Sequence, residues 1–303
     1  MSLETDSLID RRRLKRRLGF WRVIAVLALI ALIAAGAGRY AGLTGGKHIA
    51  ILDVNGVIIS NPEISAAVRR LVDDTNAEAL IVRINSPGGT VAGGEGLFRD
   101  IRLVAEVKPV VAVIGELGTS AGYMTALGAD HIIAREGSIT GSIGVILQST
   151  DITGLLTKLG ISAEAIKSSP LKAQPNPLEP LTPEARAATQ AVVADIYDMF
   201  VGMVAERRNM SRERVAPLAD GRIFTGRQAL ANGLIDGIGN LPEARDWLAS
   251  VHNIPLDTPA RLIERRPEDG LLHDALDDLF GKALFSERLR LDGLISLWHP
   301  GVQ

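Results

Sequence analysis

The chain has 303 residues and a mass of 32.3 kDa; 47% of its residues are hydrophobic and 22% charged. That balance excludes a mainly disordered chain and a polytopic membrane protein, and the length suits about two structural units of ~150 residues each. Cysteine is absent and no two of the five His have the spacing of helical zinc ligands, so disulfides, thiolate chemistry, a metal site and a bound cofactor are not expected. The net charge of −2 is unevenly spread: residues 1–46 hold eight Lys+Arg against three Asp+Glu, and the rest of the chain is acidic. An acidic body argues against a nucleic-acid partner.

Residues 11–22, RRRLKRRLGFWR, carry seven cations, and Val23–Gly38 has no charge before Arg39. Sixteen apolar residues fall short of the ~20 that span a bilayer. Phe20, Trp21 and Tyr40 suit the interfaces, however, and Arg22 and Arg39 can extend their charges outward. The expectation is a basic cytoplasmic tail over 1–22, a single transmembrane helix over 23–40 that contacts the lipid bilayer, and a body on the other side. A cleaved leader is the competing reading, because Ala35-Gly36-Ala37 resembles an A-x-A cleavage site.

After a short linker, strand and helix patterns alternate. HIAILDVNGVII (48–59) has an Asn-Gly turn between two apolar runs. PEISAAVRRLVDD (62–74) is an amphipathic helix with Pro in its first turn. ALIVRIN (79–85) and VVAVIGEL (110–117) read as buried strands. Between them VAGGEGLFRDIRLVAEV reads as a helix weakened by its glycines. AGYMTALGA is a short helix, and HIIAR and the SIGVIL run (142–147) are further strands. This alternation predicts a mostly parallel sheet covered by helices. Residues 170–183 contain five prolines, so no regular element is expected there. Thr182 then caps a long helix, GRQALANGLID forms a shorter one, and LLHDALDDLF (271–280) is amphipathic.

Two glycine-containing loops follow adjacent strands: Asn85-Ser86-Pro87-Gly88-Gly89 and Gly118-Thr119-Ser120-Ala121-Gly122. Sites in open α/β sheets lie at the carboxyl ends of strands. Glycines let backbone N–H groups turn toward a ligand, so the pair can supply a nucleophile, Ser120, and a two-amide oxyanion hole. A serine before a helix also serves as an N-cap, and S-P-G-G also serves as a tight turn. A serine nucleophile needs a base. His131 starts a strand leading away, and Asp130 reads as structural. The chain has 26 Arg but only 7 Lys, and after the anchor only Lys47, Lys108, Lys158, Lys167, Lys172 and Lys282. Lys172, between Leu171 and Ala173 in the proline-rich loop, can act as a base if its surroundings hold it neutral; the residues alone favour a solvated loop lysine.

SPGG, GTSAGYMTALGADHIIA, TGSIGV and LGISAEAIKSSPLKAQPNP, in this order, resemble the short form of signal peptide peptidase A, a membrane-anchored Ser/Lys peptidase of the Clp-protease/crotonase fold. The likeness covers about residues 47–250, leaving 251–303 as a C-terminal extension. It implies Ser120 as nucleophile and Lys172 as general base. Ser142 would orient the lysine, and the amides of Gly89 and Ala121 would form the oxyanion hole. It further implies cleaved signal peptides as substrates, a bacterial inner-membrane location with the body extracytoplasmic, and a homo-oligomeric ring whose sites combine neighbouring subunits. Where this family has A-S-G-G-Y-Y, the chain has Thr119-Ser120-Ala121-Gly122-Tyr123-Met124. The Ala121 methyl is expected to narrow the substrate pocket. Two rival functions remain at this stage: an acyl-CoA enzyme of the same fold, with Glu116 as its acid, and an anchored scaffold without activity.

Overall fold

The computed structural model describes residues 17, 19–30, 46–263 and 295–297. The chain divides into two units, Met1–Gly46 and Lys47–Gln303. In the first, helix α1 (Gly19–Ile30) is apolar and exposed along its length, with Phe20, Trp21, Val23, Leu27 and Leu29 all more than half exposed. It covers the expected anchor only through Ile30; residues 1–16 and 18 of the basic tail and residues 31–40 lie outside the described residues, as does the amphipathic stretch 271–280.

The second unit is built on β1 (His48–Ile58), β2 (Ala77–Thr90) and β3 (Val110–Thr119). These apolar, β-branched runs pair in parallel, β1 with β2 and β2 with β3. Helix α2 (Pro62–Arg69), with a 3-10 turn after it, returns β1 to β2, and α3 (Val91–Ala105) returns β2 to β3. Helix α4 (Ala121–Ala126) leads to β4 (His131–Ala134), which pairs in parallel with the first half of β3, while β5 (Ile139–Gly141) pairs with its second half. Next come α5 (Thr153–Lys158), α6 (Pro183–Arg207), α7 (Arg212–Val215), β6 (Ile223–Thr225) and α8 (Gly226–Ala231). The described chain finishes with β7 (Gly237–Ile238), α9 (Leu241–His252), β8 (Ala260–Leu262) and β9 (Ile295–Leu297). The main sheet runs β6-β5-β3-β2-β1-β8, so pairing continues past residue 250. The α/β class and the parallel sheet are as the sequence predicts.

Side chains alternate across this sheet, as a strand requires. Ala50, Leu52, Val54, Leu80, Val82, Ile84, Val110, Ala112 and Ile114 face one core, with Leu97, Ile101 and Val104 of α3 packed on it at helical spacing. Ile49, Ile51, Ile81, Val111, Val113 and Ile133 face a second core, closed by Ala244 and Leu248 of α9. With both faces covered the strands are apolar throughout, the signature of a buried parallel sheet.

Two local expectations are corrected. Asn55-Gly56 is no hairpin turn: Gly56 takes φ 70° in a register shift between Asn55 and Val57, and β1 runs on beside β2. The S-I-G-V-I-L run is not a strand, since the strand ends at Gly141. The β-branched residues there lie beside a sharp backbone turn with φ 84° at Gly141 and 50° at Ser142. As expected, residues 170–182 contain no helix or strand, and the Thr182 hydroxyl accepts from the Ala185 amide to start α6. By length and composition α6 is the one described helix able to cross a membrane, yet its final turns bury Phe200, Val201 and Val204 in the core.

Candidate active site

The segment after ALIVRI is not a detached loop. It is the end of β2, which stays extended through Thr90 after β3 has left its side. Pairing with β3 stops at Ser86 opposite Gly118, whereas β1 continues alongside, with Val57 opposite Gly88 and Ile58 opposite Gly89. Only glycine fits at 89, since a Cβ there would lie 1.8 Å from the Ile58 carbonyl oxygen. The Ser86 hydroxyl donates to the Gly56 carbonyl at 2.6 Å and accepts from the Gly88 amide at 3.1 Å, fixing the turn from both sides.

Ser120 stands where β3 turns into α4, at φ 55° and ψ −119°. Such a conformation costs about 1–3 kcal/mol in a non-glycine residue and persists only where surrounding bonds impose it. Here they do. The Ser120 amide donates to Gly141 O at 2.9 Å, and its carbonyl accepts from the Met124 amide at 2.9 Å. The Thr119 hydroxyl donates to Pro87 O at 3.0 Å and the Thr140 hydroxyl to Gly118 O at 2.7 Å. The Ser120 side chain does not cap α4, which removes the N-cap reading. The first amides of a helix lack intrahelical acceptors, so the Ala121 N–H starts from that position beside the serine.

Ser120 and Ser142 line one open cleft of about 530 Å³, together with Gly144, Val145, Ile146, Tyr197, Ala219, Asp220 and Gly221. Ser142 is held from behind, its amide donating to Arg222 O at 2.8 Å. At the rim the exposed Arg222 guanidinium lowers the Asp220 carboxyl to about 2, so this group stays ionised at neutral pH. The Ala121 methyl does not narrow this cleft. It is fully buried and points at α3, where a Cβ on Gly94 would come within 2.9 Å of it.

Tyr123 is buried beneath the turn and donates to Leu234 O at 2.7 Å, and burial pushes its phenol up. His131 is remote from Ser120. It sits opposite Val111, eight residues before Thr119 along β3, a distance of about 26 Å at strand rise. It stacks on Trp247 at 4.7 Å. Asp130 accepts from Arg102 and the Val110 amide, a structural role.

Lys172 is exposed on the 161–182 arm and is not among the residues lining the Ser120 cleft. The arm is tied by its own contacts: Lys167 pairs with Glu179 and lowers that carboxyl, and Ile152 N donates to Pro177 O at 3.0 Å. Lys47 pairs with Glu78, and Lys108 donates to Asp74 O and Ala77 O. Tyr197 and Asp220 were not read from the sequence. They lie 77 and 100 positions beyond Ser120 and reach the cleft only through tertiary folding. The bracing hydroxyls of Ser86, Thr119 and Thr140 lie inside the motifs SPGG, GTSAG and TGSIGV, but nothing in the sequence signals their bracing role.

Residues 102–254 match the model of Peptidase family S49. A Synechocystis sp. protein named as a protease, slr0021, is 41% identical over 213 residues, covering 70% of this chain and 76% of its own. An Enterococcus faecium protein named as signal peptide peptidase SppA is 33% identical, covering 72% of this chain and 67% of its own. The chloroplastic serine protease SPPA of Arabidopsis thaliana is 31% identical, covering 84% of this chain and 40% of its own.

Proposed function

The chain belongs to peptidase family S49 and is a serine peptidase, and on that premise we propose that it cleaves peptides with Ser120 as nucleophile and Lys172 as general base. The Ser120 hydroxyl oxygen attacks the scissile carbonyl while the lysine amine takes its proton. The oxyanion that forms is met by the amides of Gly89 and Ala121. The lysine returns the proton to the leaving amine, and water, deprotonated by the same lysine, then hydrolyses the acyl-enzyme. Ser142 orients the amine. The observation that carries this reading is the braced, strained turn that holds Ser120 against a cleft shared with Ser142.

The base is proposed to come from a neighbouring copy of the chain. Lys172 is exposed on its own subunit, and Lys47, Lys108 and Lys167 are engaged elsewhere. Apolar side chains on the arm and beside it, Ile166, Leu171 and Leu178, are exposed as well, Ile166 fully. Packing the arm onto a second subunit would bury them and hold the amine neutral. The anchor over 23–40 is proposed from the exposed apolar α1 behind a basic tail, and signal-peptide remnants as substrates from the name of the Enterococcus relative.

The test is complementation. Ser120→Ala abolishes turnover and fluorophosphonate labelling with little change in stability, and Lys172→Arg abolishes turnover because a guanidinium stays protonated. Mixed oligomers of Ser120→Ala and Lys172→Ala regain part of the activity. No recovery from a verified mixed oligomer would place both residues in one subunit, and an active Lys172→Arg protein would remove the lysine from the mechanism. Protease added to spheroplasts digests the body if the topology is as proposed; full protection refutes it.

A further inference from the structure

Backbone contact between the segments of β5 and β6 runs on past the strands themselves. Beyond the last strand pair, Gly141 with Ile223, the Ser142 amide donates to Arg222 O at 2.8 Å and the Gly221 amide to Ile143 O at 3.2 Å. A Cβ on Gly144 would lie 3.6 Å from the Gly221 Cα, so the two segments still touch one residue further on. Gly221 turns at φ 86°, and the residues on either side of it, Asp220 and Arg222, close on each other. The Arg222 Nε donates to both carboxylate oxygens at 2.8 Å, its Nη2 to Oδ2 at 2.5 Å and its backbone amide to Oδ1 at 3.1 Å. Asp220 thereby lines the same cleft as Ser120 and Ser142, with its carboxylate fully engaged by Arg222.

An ionised carboxylate in this cleft would by itself oppose the chemistry. A lysine base works as the neutral amine, and a nearby negative charge favours the ammonium. Among the residues lining the cleft the ionisable groups are Asp220 and the Tyr197 phenol of α6. Next to Tyr197 on α6, Asp198 is held by Arg212, and on the arm that carries Lys172, Glu179 is held by Lys167. The uncancelled charge at the cleft wall is therefore set by Asp220 and Arg222 together. We propose that the Asp220–Arg222 pair is a charge-balancing device that fixes the pH at which Lys172 of a neighbouring copy becomes an active base: the guanidinium cancels a carboxylate that would otherwise keep the amine protonated. Arg222 is in this sense a positioning residue, acting through Asp220 and never on the substrate. The inference rests on the reading of Ser120 and Lys172 as the catalytic pair.

The signs of the effects follow from the charge left behind. Without the guanidinium the pair leaves one negative charge, which raises the lysine pKa. Without the carboxylate it leaves one positive charge, which lowers it. Without both, the wall is neutral again, as in the intact chain. A charge within about 4–6 Å shifts a pKa by about 1–3 units. The Asp220 and Arg222 side chains are 44% and 61% exposed, so solvent screening places the effect at the lower end, about one unit. Below the midpoint, one unit is a tenfold change in the fraction of neutral amine and hence in rate.

The experiment measures kcat/KM for a fluorogenic peptide against pH in the full chain and in full-length Arg222→Gln, Asp220→Asn and the double variant. The bond from the Ser142 amide runs to the Arg222 backbone carbonyl, so all three substitutions leave it in place, and thermal unfolding verifies that the variants are folded. The midpoint of the rising limb moves up by about one pH unit in Arg222→Gln, moves down by about one unit in Asp220→Asn, and returns to the wild-type value in the double variant, with one common plateau at high pH. Arg222→Lys, which keeps the charge, keeps the wild-type midpoint. Both shifts shrink at about 1 M salt, where the screening length falls to about 3 Å. A lower plateau with an unmoved midpoint would mean that the pair serves structure alone, and active variants with unmoved midpoints, or an Asp220→Asn midpoint that moves up, would likewise overturn the inference while leaving the catalytic reading intact. An active Lys172→Arg protein, or a wild-type protein that neither turns over peptide nor takes a fluorophosphonate label, would overturn the catalytic reading and the inference with it.

Discussion

Gly89→Ala probes the site at the place where fold and chemistry meet. An added Cβ would lie 1.8 Å from the Ile58 carbonyl oxygen and 2.6 Å from both Ile58 C and Ile58 N. All three are backbone atoms, so no side-chain rotation relieves the contact. Reaching even a tight 3.0 Å separation requires the ends of β1 and β2 to move apart by about 1.2 Å. Overpacking of this kind costs about 1–3 kcal/mol, which lowers Tm by roughly 3–9 °C in a domain of this size. The same displacement moves the Gly89 amide, and loss of one oxyanion donor reduces kcat about 10²–10³-fold. The assay is kcat on a fluorogenic peptide alongside thermal unfolding. Gly96→Ala serves as control: a Cβ at that α3 position meets nothing within 4 Å, so it leaves kcat unchanged and stabilises by up to about 1 kcal/mol. Wild-type kcat and an unchanged Tm in Gly89→Ala would refute both the steric argument and the oxyanion role.

Two further outcomes test the frame around the site. Burial alone would raise the Asp236 carboxyl, but Arg208, bonding both carboxylate oxygens at 2.6 and 3.0 Å, more than offsets this and holds it below its ordinary 3.8. Its stabilisation is thus present above about pH 4 and lost as pH falls through the lower folded value. Asp236→Asn costs about 1–2 kcal/mol at pH 7, and denaturant titrations of the two proteins converge under acid conditions; a gap that persists at pH 2 would contradict the assignment. Tyr123→Phe removes the donor to Leu234 O and costs about 1–2 kcal/mol in denaturant unfolding, with kcat unchanged because the hydroxyl points away from the cleft; a large fall in kcat would mean that Tyr123 acts on the reacting groups.

What the sequence determined by itself is local and periodic. Continuous β-branched runs such as ALIVRI and VVAVIG can be satisfied only inside a doubly covered sheet, and the helical spacing of Leu97, Ile101 and Val104 selects the face that covers it. The prolines of 170–183 exclude regular structure whatever surrounds them, and Thr182 caps α6 through a bond three residues long. The candidate serine was legible because small residues at a strand-to-helix junction leave room for its side chain at the end of the sheet, although Ser120 itself is buried. The tertiary structure decided what depends on neighbours distant in sequence. Asn55-Gly56 carries the signal of a turn, yet pairing with β2 on both sides of it keeps β1 a single strand with a bulge. S-P-G-G has the composition of a loop, yet Ile58 alongside makes it the end of a strand. The Ala121 methyl, one residue from the serine, turns out to fill a contact with α3, because Gly94 leaves a gap there that nothing near Ala121 in sequence announces. Tyr197 and Asp220 enter the cleft only because α6 and the turn before β6 pack beside Ser142. β9 reaches the edge beside Gly89 for a like reason: backbone pairing reads the free N–H and C=O groups of a strand edge, and no side-chain pattern encodes which distant segment fills it.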